Sequence, residues 1–138
     1  MKGKTIYLAH PFTGDGKKNI EKAGSICRTI LFRFRDIDLT IISPLHALSY
    51  LKEEDQEIPS VNAKIMNDCL RLLDKCEELW LSPGWEESKG CKQEVKYALT
   101  FDIPVYEIIF KDEGGFYTYG FKGIDGKTFE QRTACSRI

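Results

Sequence analysis

The stretch Trp80-Leu-Ser-Pro-Gly-Trp-Glu-Glu-Ser-Lys-Gly-Cys-Lys-Gln-Glu94 is an apolar run that ends in Pro-Gly and reopens at Ser88 as a small-residue segment. Pro83-Gly84 stops the strand that begins near Glu77, and Ser88 is a residue type that caps a helix by accepting from free backbone amides. The unit is strand, short loop, helix, and it recurs outward in both directions. Lys4–His10 reads as a first strand stopped by Pro11, and a two-glycine loop leads into a helix from about Asn19 to Arg35. In that helix Ile20, Ala23, Cys27, Ile30, Leu31 and Phe34 fall on one face. Leu39–Ser43 is a second strand, ended by Pro44. Residues 45–58 are polar and irregular. Pro59 opens a second helix with Val61, Ile65, Cys69, Leu72, Leu73 and Cys76 on its buried stripe. The helix after Ser88 runs to about Asp102, and Pro104–Phe110 is a fourth strand. Strands alternating with helices predict an α/β fold with a parallel sheet and right-handed crossovers.

The chain of 138 residues is the size of one domain, 1–138, with a core over 4–110 and a C-terminal extension over 111–138. In the extension, Phe116, Tyr117, Tyr119 and Phe121 with the Asp125-Gly126 turn signal predict a small hairpin, or a segment that packs on a neighbour. With 20 basic and 21 acidic residues, nothing in the charge balance favours a nucleic-acid polymer or a membrane surface as partner. Apolar runs are strand-sized and the N-terminus lacks a signal-peptide segment. Five cysteines (Cys27, Cys69, Cys76, Cys91, Cys135) contain no C-x-x-C pair, which argues for reduced thiols in a cytoplasm and against a zinc site.

In an open parallel sheet, ligands bind beyond the carboxyl ends of the strands. Three segments meet that description: His10–Gly16, Ser43–His46 and Ser82–Glu94. Ser88 and the helix it opens favour an anion, and Gly90 allows a ligand close to the backbone. Glu94 shares a face with Cys91, Ala98 and Phe101, a face that should point at the sheet. A carboxylate there is costly unless it is paired or used, and should be kept ionised by the helix dipole. The ordinary alternative is a partly exposed surface glutamate. Asp68 stands at the margin of its helix's buried stripe. It is either a solvated flanking aspartate or the second carboxylate of an acid and nucleophile pair. Tyr7 suits the core. His10 and His46 follow strand ends and suit a loop or a ligand contact, and two distant histidines make no metal site. Trp85 either walls a pocket or packs under its loop. Lys17 and Lys18 read as a solvated helix start or a phosphate contact. Neither the P-loop nor the G-x-G-x-x-G pattern is present, and no cofactor is implied.

Taken together, Ile6-Tyr7-Leu8-Ala9-His10-Pro11, Ser43-Pro44-Leu45-His46, Asn67-Asp68-Cys69 and Pro83 to Cys91 with Glu94 resemble the nucleoside 2-deoxyribosyltransferase-like proteins. The likeness is nearest to the branch known as domain of unknown function 4406. The resemblance implies a flavodoxin-like or Rossmann-like three-layer sandwich, mostly parallel, working as a homodimer or larger homo-oligomer. It implies cleavage of the N-glycosidic bond of a nucleoside or nucleotide. By position, Glu94 matches the nucleophile, Asp68 the acid that helps protonate the leaving base, and Tyr7 the residue that orients the nucleophile. Free-nucleoside transferases carry an aspartate six residues before the glutamate, whereas related nucleotide N-glycosidases carry a serine, as Ser88 is here. That implies a 5'-monophosphate and water as the acceptor. His10-Pro11-Phe12 departs from the glycine-rich loop of those hydrolases. With Gly90, His46 and Trp85, these three and Ser88 are the residues expected to touch the ligand. The alternative on the same fold is a nucleotide-binding or sensing module without turnover. A third reading is an assembly role with the tyrosine-rich tail as interface.

Overall fold

The computed structural model describes residues 3–12, 14–113 and 116–134. Cys135 lies outside the described residues, as do the side chains of Phe116, Tyr117 and Tyr119.

Five strands form one sheet in the order β2-β1-β3-β4-β5. β1 (Lys4–Ala9), β2 (Leu39–Ile42), β3 (Glu78–Leu81) and β4 (Val105–Glu113) are parallel, and β5 (Phe116–Gly123) returns antiparallel to β4. Tyr7 stands beside Ile42 on one neighbour and Leu79 on the other. Alternation along the strands sends side chains to two cores. Ile6, Leu8, Trp80 and Ile108 pack under helix α1 (Gly16–Arg33) with its Ile26 and Ile30. Tyr7, Ala9, Leu79, Leu81 and Val105 pack on the opposite face with Leu73 of α3 (Pro59–Asp74) and Val95 and Ala98 of α4 (Lys89–Thr100). Helices therefore cover both faces, giving the three-layer α/β architecture expected from the alternation of elements.

The segment between β2 and α3 is more ordered than its polarity suggested. It forms a one-turn helix α2 (Pro44–Ala47) and a 3-10 turn over Glu53–Glu57. The Glu53 carboxylate accepts from Gly16 N–H and docks this segment on the start of α1.

The C-terminal extension does pair antiparallel, as β5 on β4, but Asp125-Gly126 is not part of that pairing. Asp125 instead caps a fifth helix, α5 (Gly126–Ala134): Thr128 N–H donates to Asp125 Oδ1 at 2.7 Å. Ile124 and Phe129 enter the same core cluster as Tyr7 and Val95. The extension is thus packed into the sheet's own core. At roughly 1.5–3 kcal/mol for each large buried apolar side chain, these two residues contribute materially to the fold.

Candidate active site

The chain leaves β1 toward β2 on one side and returns to β3 on the other, so the carboxyl ends of β1 and β3 flank the topological switch point. His10 follows β1, and the loop from Ser82 to Ser88 follows β3. A cavity of about 270 Å³ opens there. α4 contributes Ser88, Gly90, Cys91 and Glu94 to its lining, and α3 contributes Ile65, Met66 and Cys69. The segment after β2 adds Leu45, Leu48, Leu51 and Gln56, and the first loop adds His10 and Phe12.

The geometry of α4 follows from its entry. Gly84 adopts φ +89°, a left-handed conformation that costs glycine little. A 3-10 turn over Trp85–Glu87 then delivers Ser88 in an extended conformation. The Ser88 hydroxyl accepts from Cys91 N–H at 3.2 Å. No acidic residue stands in the first turn of α4, and Lys89 lines the cavity beside it. The start of α1 is different: the Asp15 carboxylate accepts from Lys18 N–H, and Glu53 occupies Gly16 N–H. The chain's own carboxylates fill that terminus, whereas the first turn of α4 is free of them and suits a ligand anion. Lys17 and Lys18 are exposed, in keeping with a solvated helix start.

Glu94 is 6% exposed and lines this cavity, and its Oε2 has no hydrogen-bond partner. Burial pushes its pKa up to about 7, and the neighbouring Tyr7 hydroxyl partly offsets the rise. The expectation that the helix dipole keeps Glu94 ionised is therefore corrected. Dipole stabilisation acts within the first turn and is small against the loss of water at a group this deep. Tyr7 is fully buried on β1, and its hydroxyl faces the Glu94 carboxyl without completing a hydrogen bond. Burial first, and then the Glu94 charge, holds the phenol well above its ordinary pKa, so it stays a donor. Phe101, expected on the same helix face as Glu94, is 58% exposed because it falls at the helix end; Val95 packs there instead.

Cys69 and Cys91 flank Glu94. Burial, reinforced by the Glu94 charge, pushes their pKa values up to about 11 and about 12. Both thiols stay protonated at neutral pH and are poor nucleophiles. His10 is buried, and its Nδ1 lies 2.8 Å from the Pro11 carbonyl. A carbonyl only accepts, so Nδ1 carries the hydrogen. Burial lowers the ring's pKa, which favours the neutral form with Nε2 as an acceptor.

The structure gathers Glu94, Tyr7, Ser88, Gly90, His10 and Phe12 at one end of the sheet. The other candidates stand elsewhere. Asp68 does not line the cavity; its carboxylate pairs with Lys64 one helical turn away on α3. Pro11 lies next to the cavity loop, near Gly84. His46 is exposed and bonds Ser43 Oγ through Nδ1 at 2.8 Å. Trp85 is 1% exposed but faces the core, its ring stacked on Phe129 and its Nε1 donating to Glu107 at 3.1 Å. Of its two readings, packing under the loop is the one observed. Gln56, Asn62 and Gln93 also reach the cavity and were not singled out from sequence. Lone amides in polar segments carry no periodicity signal. Lys89 carries a different signal, a cation next to a helix cap, and was not singled out either.

The fold and this cavity define a doubly wound α/β protein with a buried carboxyl group at its strand ends. Residues 4–108 match the model of a domain of unknown function, DUF7768, and the chain belongs to that family. The matching model is DUF7768 rather than that of the 4406 branch named from the motifs. No curated protein matches the chain. Among solved structures, it is similar to the 2-deoxyribosyltransferase of the psychrotolerant bacterium Bacillus psychrosaccharolyticus. The TM-score is 0.53 at 17% identity, over 75% of this chain and 70% of that one. That likeness supports the three-layer α/β fold.

Proposed function

We propose that this protein cleaves the N-glycosidic bond of a nucleoside 5'-monophosphate or nucleoside, with Glu94 as nucleophile and water as the usual acceptor. The observation that carries the reading is a nearly fully buried carboxyl group, with one free oxygen, lining a cavity at the switch point. A Glu94 oxygen attacks the anomeric carbon while the base leaves with the bonding electron pair and takes up a proton. Water then adds at the anomeric carbon, loses a proton and releases Glu94. Tyr7 steadies the ionised carboxylate. Ser88, Lys89 and the first amides of α4 receive the phosphate, and Phe12 with the leucines after β2 supports the base. Asp68 is the candidate acid, and to serve it must leave Lys64 and turn into the cavity. Similarity to a deoxyribosyltransferase fold supports nucleoside chemistry here.

One observation favours the alternative of a nucleotide-binding module without turnover: the cavity holds one of the two candidate carboxylates, because Asp68 is paired outside it. Chromatography of released base separates the two. Ribo- and deoxyribonucleosides and their 5'-monophosphates are incubated with wild type, Glu94→Ala and Asp68→Asn, with and without an acceptor base. Release by wild type but not Glu94→Ala supports the glycosidase. Ligand binding with no release over hours supports the module.

A further inference from the structure

Behind the loop that delivers Ser88 sits a charged cluster that the cavity does not use. Arg132 of α5 donates through Nη1 to Glu107 Oε1 at 2.8 Å and through Nη2 to Glu107 Oε2 at 2.9 Å. The same Nη2 donates to Glu86 Oε1 at 2.9 Å. Glu107 Oε2 also accepts from Trp85 Nε1 at 3.1 Å. The guanidinium lies 5.7 Å from the Trp85 ring centroid, and Phe129 stacks on that ring with planes 18° apart. Thus α5 grips two consecutive residues, Trp85 and Glu86, and ties both to β4.

Those two residues open the 3-10 turn Trp85–Glu87 that leads into Ser88. Ser88 N–H donates to the Trp85 carbonyl at 3.0 Å, and Ser88 then caps α4. Gly90, Cys91 and Glu94 follow within two turns and line the cavity. Arg132 faces two carboxylates, Lys122 stands opposite Glu107 across the β4–β5 pair, and Glu107 is only 8% exposed. A bidentate guanidinium fixes direction as well as charge, which an ammonium does not. Groups that hold a binding residue's neighbours set how accurately that residue is placed.

We infer that Arg132 is a positioning residue: through Glu86, Glu107 and Trp85 it fixes the start of α4 and the anion-binding end of the cavity. The ligand side of this inference rests on the proposed function; the mechanical side does not. The test therefore reads each separately. Amide resonances of Ser88, Gly90 and Cys91 are recorded for wild type, Arg132→Ala, Arg132→Lys and Glu86→Gln without ligand, and then during titration with inorganic phosphate. Glu86→Gln keeps the Arg132–Glu107 pair and so tests the tether in a variant that keeps its core ion pair. The expected result is displaced α4 amides with unmoved α1 amides in Arg132→Ala and Glu86→Gln. Phosphate affinity should fall roughly tenfold, with part restored in Arg132→Lys. Loss of structure alone would not produce that graded rescue in folded variants. Wild-type resonances and phosphate affinity in folded Glu86→Gln and Arg132→Ala would overturn the inference. If wild-type amides ignore phosphate, the phosphate reading of this helix start falls, and the resonances of the free variants still decide the clamp.

Discussion

A buried carboxyl group whose pKa is pushed up to about 7 makes two opposed demands on the protein. As nucleophile, Glu94 must be ionised, so base release should rise with pH along a limb centred near 7. Tyr7 favours the ionised form, so Tyr7→Phe should move that limb to higher pH. A pH–rate profile of both proteins checks this, and an unmoved limb would remove Tyr7 from the site. Stability runs the other way. The folded chain keeps a proton on Glu94 that the unfolded chain releases between pH 4.5 and about 7, so stability falls as pH rises across that window. Each tenfold change in proton affinity is worth about 1.4 kcal/mol, which places the penalty above pH 7 on the order of 3 kcal/mol. Glu94→Gln should thus be inactive, more stable than wild type at pH 8, and lose that advantage below pH 4.5. Thermal melts of the two proteins across pH decide it; parallel curves would mean that Glu94 is not the titrating group.

At the scale of elements, Gly90 separates fold from function within one helix. A Cβ there would stand 3.5 Å from Met66 Cε and 3.9 Å from Ser88 Oγ, ordinary contact distances. Alanine is the better helix former by up to about 1 kcal/mol. Gly90→Ala should therefore raise the melting temperature slightly while weakening mononucleotide binding, because the added methyl enters the cavity. Calorimetric titration beside a melt tests this, and unchanged affinity would take the first turn of α4 out of the binding site. Such elements were largely legible in the sequence. β1 and β3 alternate between two cores and end at Ala9 and Leu81, just before Pro11 and Pro83, and Ser88 caps α4 as its residue type predicts. What was not legible depended on partners distant in the chain. Asp125-Gly126 has the local chemistry of a hairpin turn and of a helix cap, and only the pairing of β4 with β5 decides between them. Asp68 sits where its helix position predicts, but its partner is Lys64 rather than the cavity. Trp85 is placed by Glu107, Phe129 and Arg132, all from segments read separately.

At the scale of the whole molecule, the C-terminal extension cannot be an appendage. β5 covers the edge of β4 along its length, and Ile124 is tied to the sheet by its N–H to the Val105 carbonyl at 2.8 Å. Phe121 lies 4.5 Å from Trp80 between ring centroids, on the α1 face, while Phe129 enters the opposite core. The extension thus contributes to both layers at once. Removing residues 111–138 would expose the β4 edge, open both cores and strip Glu107 of the Arg132 guanidinium that holds it. Since small domains are stable by only about 5–15 kcal/mol in total, the shortened chain should not fold cooperatively. A deletion meant to test the tail as an assembly interface would then report unfolding rather than dissociation. Circular dichroism melts of chain 1–110 distinguish these: a sigmoidal transition near that of the full chain would show the extension to be dispensable, and the argument for α5 as part of the site's frame would fail with it.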